Sequence, residues 1–453
     1  MNVPWTQAEW KRVVVYGLGA SGLAATRLLR SRGVEVLGID MRTAEPLDLS
    51  DLENDSGVEL ILGVEPQELP RGIDGVVLSP GVPPDKPLVV AARDAGLPVV
   101  AEVELAYQLL DGDVIGITGS NGKSTTTLMT GELLKAAGMA VEICGNIGVP
   151  LSSKVDGVPE RTFVTELSSF QLDSVDTFHP RAAALLNLST DHLDWHGDAG
   201  RYFAAKKNLF RNQGPSDVAV LNADDEAVSN VAVEARRRFF SSRTAVEDGC
   251  YLDGDIVMGV DPLSGRQPLF KRSDVSLPGA HNLENAMAAA LLSLAVGADP
   301  AVIPDTLARF RGLPHRLQLV LERQGVAWYD DSKATNFAAT ARSLEGFDNG
   351  SVHLILGGRN KGGDPAELAT VVERKVRRIY LVGEAAAQFE SALGDLVEVV
   401  MAGTLQSAVD SAQQAAKRGE TVLLSPSCAS FDQYQDFAER GHHFQDLVRN
   451  LHG

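Results

Sequence analysis

At 453 residues the chain is too long for one core of ordinary size, and its 44% hydrophobic and 22% charged residues suit a globular protein of several domains. A formal net charge of −19 disfavours a nucleic-acid partner, which clustered Lys and Arg would bind, so an anionic ligand must be held by a local device. Cys144, Cys250 and Cys428 are too few and too scattered for a disulfide framework or a zinc ribbon, which fits a reducing compartment. The start "MNVPWTQAEW" has no basic stretch followed by an apolar one, and no apolar run approaches the roughly 20 residues that span a bilayer. No membrane partner and a cytoplasmic location are therefore expected.

Along the chain, "RVVVYGLG", "VIGITGSNG", "TFVTELSS", "AALLNLSTD", "VHLILGGRN", "RIYLVGE" and "TVLLSPS" read as buried strands whose ends feed polar loops. Amphipathic helical stretches alternate with them. This is an α/β pattern with parallel sheets, in which ligands gather at the carboxyl ends of the strands.

The first unit opens with "YGLGASG", which sets Gly17, Gly19 and Gly22 in GxGxxG order between a strand and a helix, and Asp40 closes the next strand, "EVLGID". Such a turn can seat a phosphate-bearing nucleotide at a helix N-terminus, and nicotinamide is its default ligand; a tight turn without ligand is the plainer reading. The helical "AEVELAYQLLDGD" marks a boundary near 103. Next, "GITGSNGKST" places strand, glycine-rich loop, Lys123, Ser124 and helix in the order of a phosphate-binding loop. It departs from the strict GxxxxGK[ST] spacing, because Ile117 stands where the first glycine is expected and the glycine is Gly116. ATP or GTP is the expected ligand. Glu166 ends the apolar strand "TFVTELSS", where a carboxylate is costly to bury unless it meets a cation; a solvated strand end is the alternative.

Then "DHLDWHGDAGRYFAAKKNLF" (191–210) crowds His192, His196 and three aspartates before a helical run. His192 and His196 have the spacing of a zinc pair, but Gly197 and Gly200 argue against a regular helix there and no cysteine is near. At about 100° per residue, Tyr202, Phe203, Leu209 and Phe210 share one stripe, Lys206 falls near its centre and Lys207 points toward solvent. A buried Lys206 should drift toward the neutral amine, which can add CO2 to become an anionic carbamate, unless it snorkels out or pairs with Asp191 or Asp194. In "RFRGLPHRLQLV", Gly312 and Pro314 stop a helix before a new strand, giving a second boundary near 314.

Taken in order, "GITGSNGKST", "GNIGVP", "ELSSFQL", "NLSTDHLDWH", "RYFAAK", "HNLENAMAA" and "LPHR" resemble the Mur ligase family of ATP-dependent amide-forming enzymes along the whole chain. "GLGASG", "DDSKATN", "GGRNKGGD" and "SPSCASFDQY" are similar to the members that join D-glutamate to UDP-N-acetylmuramoyl-L-alanine, and no DNPR sequence is present. The resemblance implies an α/β fold of three domains: a Rossmann-like UDP-substrate domain (1–103), a central P-loop ATP domain (104–314) and a Rossmann-like amino-acid domain (315–453).

It further implies that Ala20, Ser21, Asp40, Arg42 and Gly81 surround the UDP group, with Met41 departing from a small polar residue, and that Asn146 and Ser168 face the same substrate. ATP would meet Gly119, Ser120, Asn121, Gly122, Lys123, Ser124 and Thr125, together with Asn282, Asn285, His315, Arg316, Asp331 and Lys333. Two Mg2+ ions are implied, one on Ser124 and Glu166, the other on His192 and a carbamylated Lys206. Thr335, Lys361, Ser430 and Phe437 match a D-glutamate pocket, and a monomer is expected. Other readings leave something unexplained. An NAD-dependent dehydrogenase ignores the P-loop, a folylpolyglutamate synthetase or another amino-acid-adding ligase fits the first domain or the C-terminal motifs less well, and a nucleotide switch needs no second metal site.

Overall fold

The computed structural model describes residues 10–43, 47, 49–189, 193–312, 314–360 and 362–451. Among the described residues the strands form three sheets. The first has five parallel strands in the order Val58–Leu62, Glu35–Asp40, Arg12–Tyr16, Gly75–Leu78, Val99–Ala101. Its central strand Arg12–Tyr16 is buried from Val13 onward, as a strand covered on both faces must be.

The second sheet has nine strands. Gly112–Thr118 lies between Ala182–Leu185 and Arg161–Glu166, with Val141–Gly145 beyond the latter, all parallel. On the other side Val218–Asn222, Arg236–Ser241 and Gly249–Asp253 continue in parallel, and Ile256–Asp261 and Gly265–Lys271 finish the sheet antiparallel. The third sheet has six strands, Gln318–Arg323, Val326–Asp330, Thr421–Leu424, Val352–Gly357, Val376–Val382 and Glu398–Gly403, and only the first pair is antiparallel. All seven expected strands are present in sheets that are parallel except for antiparallel pairs at two edges. A strand buried on only one face has no helix crossover to force a parallel neighbour, and a short turn returns it as a hairpin.

The chain divides into two compact units, Met1–Asp274 with Glu284–Leu307, and Val275–Leu283 with Ala308–Gly453. The first two sheets belong to the former unit and the third to the latter. Residues 275–283 join the second unit although no local pattern announces it.

Two acids fasten the first sheet to the second within their common unit. The strand Val99–Ala101 runs directly into the helix Glu102–Tyr107, and Ala101 N donates to Ser174 O at 2.9 Å. The Glu104 carboxylate accepts from the amides of Asp176, Thr177 and Phe178 at 2.9, 2.9 and 3.0 Å, so the turn before the strand Ala182–Leu185 wraps around it. Glu102 Oε1 accepts from Ser152 N at 2.6 Å, while its Oε2 is buried without a hydrogen-bond partner among the described residues. Burial pushes the Glu102 carboxyl up to about 7, against the opposing bonds from Ser152.

A folded-state value above the ordinary 4.5 of this carboxyl means that its stability contribution is complete at low pH and is lost as pH rises through about 7. Glu102→Gln removes the ionisation. Between about pH 5 and pH 8 the stability of the wild-type chain should therefore fall relative to this variant, by on the order of 1–3 kcal/mol, in denaturant melts at each pH. A difference that does not change with pH would show that the Glu102 carboxyl has the same pKa in the folded and unfolded chain, and would overturn the shift assigned to burial.

Candidate active site

In the first unit, the turn after Arg12–Tyr16 is held tight by Gly22. A Cβ there would lie 1.8 Å from the Gly17 carbonyl oxygen, so only glycine lets the helix Ala20–Ser31 start so close to the strand. Beside this helix N-terminus is a cavity of about 480 Å³, lined among others by Ala20, Ser21, Met41, Arg42, Gly81 and Lys86. The structure thus brings the expected UDP-side residues Ala20, Ser21, Asp40, Arg42 and Gly81 into one cavity. The Asp40 carboxylate is already engaged by the protein. It accepts from Leu18 N at 2.7 Å and from Arg42 N, Nε and Nη2 at 2.8, 2.9 and 2.8 Å. Burial raises its pKa, but those bonds outweigh burial and hold the carboxyl below its usual range. Asp40 therefore aims Arg42. Lys86, which the sequence reading missed, adds a second cation and is held by Glu65 at 2.8 Å. Only its place in the proline-dense "SPGVPPDKP" could have drawn attention to it.

In the central sheet, Gly112–Thr118 leads through residues 119–122 into the helix Lys123–Ala136. Gly122 is left-handed at φ 81°, and a Cβ there would meet Asn285 Oδ1 at 2.2 Å. Asn121 and Asn187 clasp each other: Asn121 N donates to Asn187 Oδ1 at 2.8 Å and Asn187 Nδ2 to Asn121 O at 3.1 Å. Ser120 Oγ lies 3.0 Å from Tyr202 Oη and accepts from Ser189 N at 2.9 Å. Lys123 Nζ donates to Gly119 O at 2.9 Å and Ser120 O at 3.0 Å, folding back over the loop it would leave to reach phosphate. Ser124 is buried on the first turn and Thr125 half-buried beside it.

Glu166 ends Arg161–Glu166 in register with Ile117, at the same edge of the sheet as the loop. It is 2% exposed; Oε1 accepts from Asn146 Nδ2 at 2.7 Å, and Oε2 has no hydrogen-bond partner among the described residues. A buried carboxylate oxygen left so is costly unless a cation answers it, and a carboxylate oxygen suits a hard cation such as Mg2+. Ser168 caps the short helix Ser169–Leu172, bound to Gln171 in a capping box.

Lys206 points inward as its helical phase requires. It is 1% exposed, its Nζ donates to Gly119 O at 2.9 Å and Thr118 Oγ1 at 3.3 Å, and it lies 4.6 Å from the centre of the Tyr202 ring. Lys207 is exposed. The expected single helix stops at Lys207, because Asn208–Phe210 tightens into a 3-10 turn that still buries Leu209 and Phe210. Leu193–His196 forms one helical turn where none was expected. There His196 is buried with Nε2 3.0 Å from Ser169 Oγ, a packing role. His192 lies outside the described residues.

In the other unit, Asp331 does not stand open to phosphates. It is 2% exposed and accepts from Ser343 Oγ at 2.7 Å, Ser425 Oγ at 2.8 Å and Leu317 N at 3.1 Å. Burial nevertheless pushes its carboxyl up to about 6. His315 is likewise buried, with Nδ1 2.6 Å from Asp330 Oδ2, whereas Arg316 next to it is exposed. Lys333 Nζ lies 5.6 Å from the centre of the Phe437 ring, which brings a residue expected at ATP next to one expected in the D-glutamate pocket. Ser430 is buried and Thr335 half-buried; Lys361 lies outside the described residues. Asn282 Nδ2 donates to Pro278 O at 2.7 Å, and in the first unit Asn285 Oδ1 accepts from Thr126 Oγ1 at 3.3 Å.

The sequence reading missed Arg440. It is buried on the helix Phe437–Arg449, burial pulls it down to about 10, and it donates to Ser332 Oγ and O at 2.9 Å and to Cys428 O at 3.1 Å. It thereby ties "DDSKATN" to "SPSCASF". The apolar spacing of Phe444 and Val448 already places position 440 on the inner face.

Three family models match the chain in order: the Mur ligase MurD-like N-terminal domain over residues 11–101, the Mur ligase middle domain over 117–293, and the Mur ligase glutamate ligase domain over 315–428. The UDP-N-acetylmuramoylalanine--D-glutamate ligase of Koribacter versatilis is 41% identical over 445 residues, covering 97% of this chain and 98% of the relative. That of Syntrophotalea carbinolica is 42% identical over 446 residues, covering 98% of each. Among solved structures, UDP-N-acetylmuramate-alanine ligase from Thermotoga maritima matches in fold with a TM-score of 0.58 at 18% identity, covering 97% of this chain and 99% of that one. A pseudomurein peptide ligase from Methanothermus fervidus matches with a TM-score of 0.56 at 18% identity, with the same coverage. With all three of its sheets matched by domains of one kind, and relatives above 40% identity along nearly its whole length, the chain belongs to the Mur ligase family.

Proposed function

We propose that the chain is an ATP-dependent ligase that joins D-glutamate to UDP-N-acetylmuramoyl-L-alanine in peptidoglycan synthesis, with release of ADP and phosphate. The observation that carries the reaction type is the convergence of Lys123 and Lys206 on the Gly119 carbonyl, at the sheet edge where Glu166 keeps one buried oxygen unanswered. The substrates follow from the names of the relatives.

The substrate carboxylate must attack the γ-phosphate of ATP, which brings two anions together. Lys123, released from Gly119 O and Ser120 O, reaches the outer phosphates, and the amides of residues 119–122 and the helix Lys123–Ala136 receive the inner ones. Two Mg2+ ions, held by Ser124 with Glu166 and by His192 with a carbamate formed from CO2 on Lys206, would offset the charge that develops in transfer. The acyl phosphate so formed is attacked by the amine of D-glutamate, and phosphate leaves as the amide forms. Ala20, Ser21, Gly81 and the Asp40-aimed Arg42 hold the UDP end, with its diphosphate at the start of Ala20–Ser31. Asn146 and Ser168 face the middle of that substrate. Asn282, Asn285, His315, Arg316, Asp331 and Lys333 serve the adenine nucleotide, the two buried groups from behind, and Thr335, Lys361, Ser430 and Phe437 take D-glutamate. None of the described helices is long and apolar enough to cross a membrane. The enzyme would act as a monomer in the cytoplasm, where its nucleotide substrates are made.

Phosphate release from ATP, measured with UDP-N-acetylmuramoyl-L-alanine present, should be stimulated by D-glutamate and not by L-glutamate, L-lysine or L-alanine. No stimulation by D-glutamate overturns the assignment. Lys206→Ala should lower turnover by roughly a hundredfold or more, and Lys207→Ala should leave it within about twofold, because only the former reaches the loop. Equal damage from both substitutions would remove the inward lysine from the mechanism.

A further inference from the structure

Arg316 sits between two non-glycine residues in the left-handed region, His315 at φ 61° and Leu317 at φ 44°. Such backbone persists only where its surroundings over-determine it, and an observed outlier of this kind is a pointer to function. Here the restraints are visible. His315 N donates to Gln318 Oε1 at 3.0 Å, Leu317 N to Asp331 Oδ1 at 3.1 Å, and Lys333 N to His315 O at 2.9 Å. The strand Val326–Asp330 ends in one acid and Asp331 follows it, and each grips one side of the turn.

The tightest restraint is on the imidazole. Asp330, 0% exposed, places Oδ2 2.6 Å from His315 Nδ1, and because a carboxylate only accepts, Nδ1 carries the proton. Gln445 Nε2 donates to the same Oδ2 at 2.8 Å and to Gln318 Oε1 at 3.1 Å, and Asp330 Oδ1 accepts from Ser332 N at 2.9 Å. The ring is seated directly on the helix Phe437–Arg449, since a Cβ at Gly441 would come within 2.1 Å of it. What the cluster leaves facing outward is the exposed Arg316, while Lys333 continues from the same anchored carbonyl to the Phe437 ring.

We propose that Asp330 and Gln445 are positioning residues for the nucleotide: by fixing the His315 ring they hold the strained 315–317 turn, so that Arg316 and Lys333 are set in advance as a cationic pair for phosphate. This rests on the ligase reading. Neither residue needs to touch the substrate; they remove the freedom that two long cationic side chains would otherwise lose on binding.

The test uses the full chain with ATP binding followed by calorimetry, steady-state kinetics and 15N spectra of the histidine rings. In the wild type His315 should show a protonated Nδ1. Asp330→Asn should weaken ATP binding about fivefold or more and raise the KM for ATP in parallel, with the KM for the UDP-linked substrate within about twofold. Gln445→Leu, which leaves the carboxylate in place, should produce the same selective loss to a smaller extent and serves if Asp330→Asn does not fold. Unchanged ATP affinity in a folded variant, equal losses for every substrate, or a His315 ring without a proton on Nδ1 in the wild type would each overturn the proposal. Because binding and ring protonation need no turnover, they separate this failure from a failure of the ligase reading, which would show as absent D-glutamate-dependent phosphate release in the wild type.

Discussion

A single peptide carbonyl, that of Gly119, accepts from the Nζ groups of two lysines, and much of the central unit follows from making that possible. The strand Gly112–Thr118 must end there, Asn121 and Asn187 must keep the loop from collapsing onto itself, and the helix ending at Lys207 must turn Lys206 inward. The hydrogen bonds of Lys123 and Lys206 run to the oxygens of the loop and of Thr118, while Glu166 Oε1 accepts from Asn146. A directly paired lysine and glutamate would neutralise each other and leave nothing to offer an incoming phosphate or metal.

What could be read from the residues alone has a physical boundary. The strands, the phosphate loop and the opposite fates of Lys206 and Lys207 depend on patterns within a dozen residues, and each was visible before any contact was known. The antiparallel edges, the Glu104 clamp and the Asp330–His315 pair depend on residues that meet only after the chain has folded, and single-chain periodicity carries no trace of them. Asp40 and Asp331 show the difference at a single residue. Both lie at strand ends where an acid is expected to serve a ligand, yet both carboxylates are filled by the protein itself, Asp40 by Arg42 two residues on and Asp331 by two serines from distant elements. The first engagement could be suspected from spacing, the second could not.

The two ends of the candidate reaction are built on different principles. On the proposed UDP side, recognition would rest on a tight βα turn and a cavity whose cations are already anchored by acids, Arg42 by Asp40 and Lys86 by Glu65. At the P-loop Lys123 is anchored by neutral backbone oxygens, which would give it up more readily. Preset charge suits a group that only has to be held, and releasable charge suits a phosphoryl group whose own charge changes during transfer.

The amides that close around Glu104, together with the Glu102 bond to Ser152, make the UDP cavity and the phosphate loop parts of one body. On the proposed function that body would act as a ruler. A long substrate held at its uridine end in the cavity would reach the loop over a fixed distance, so its length would be selected without a dedicated contact for every atom along it.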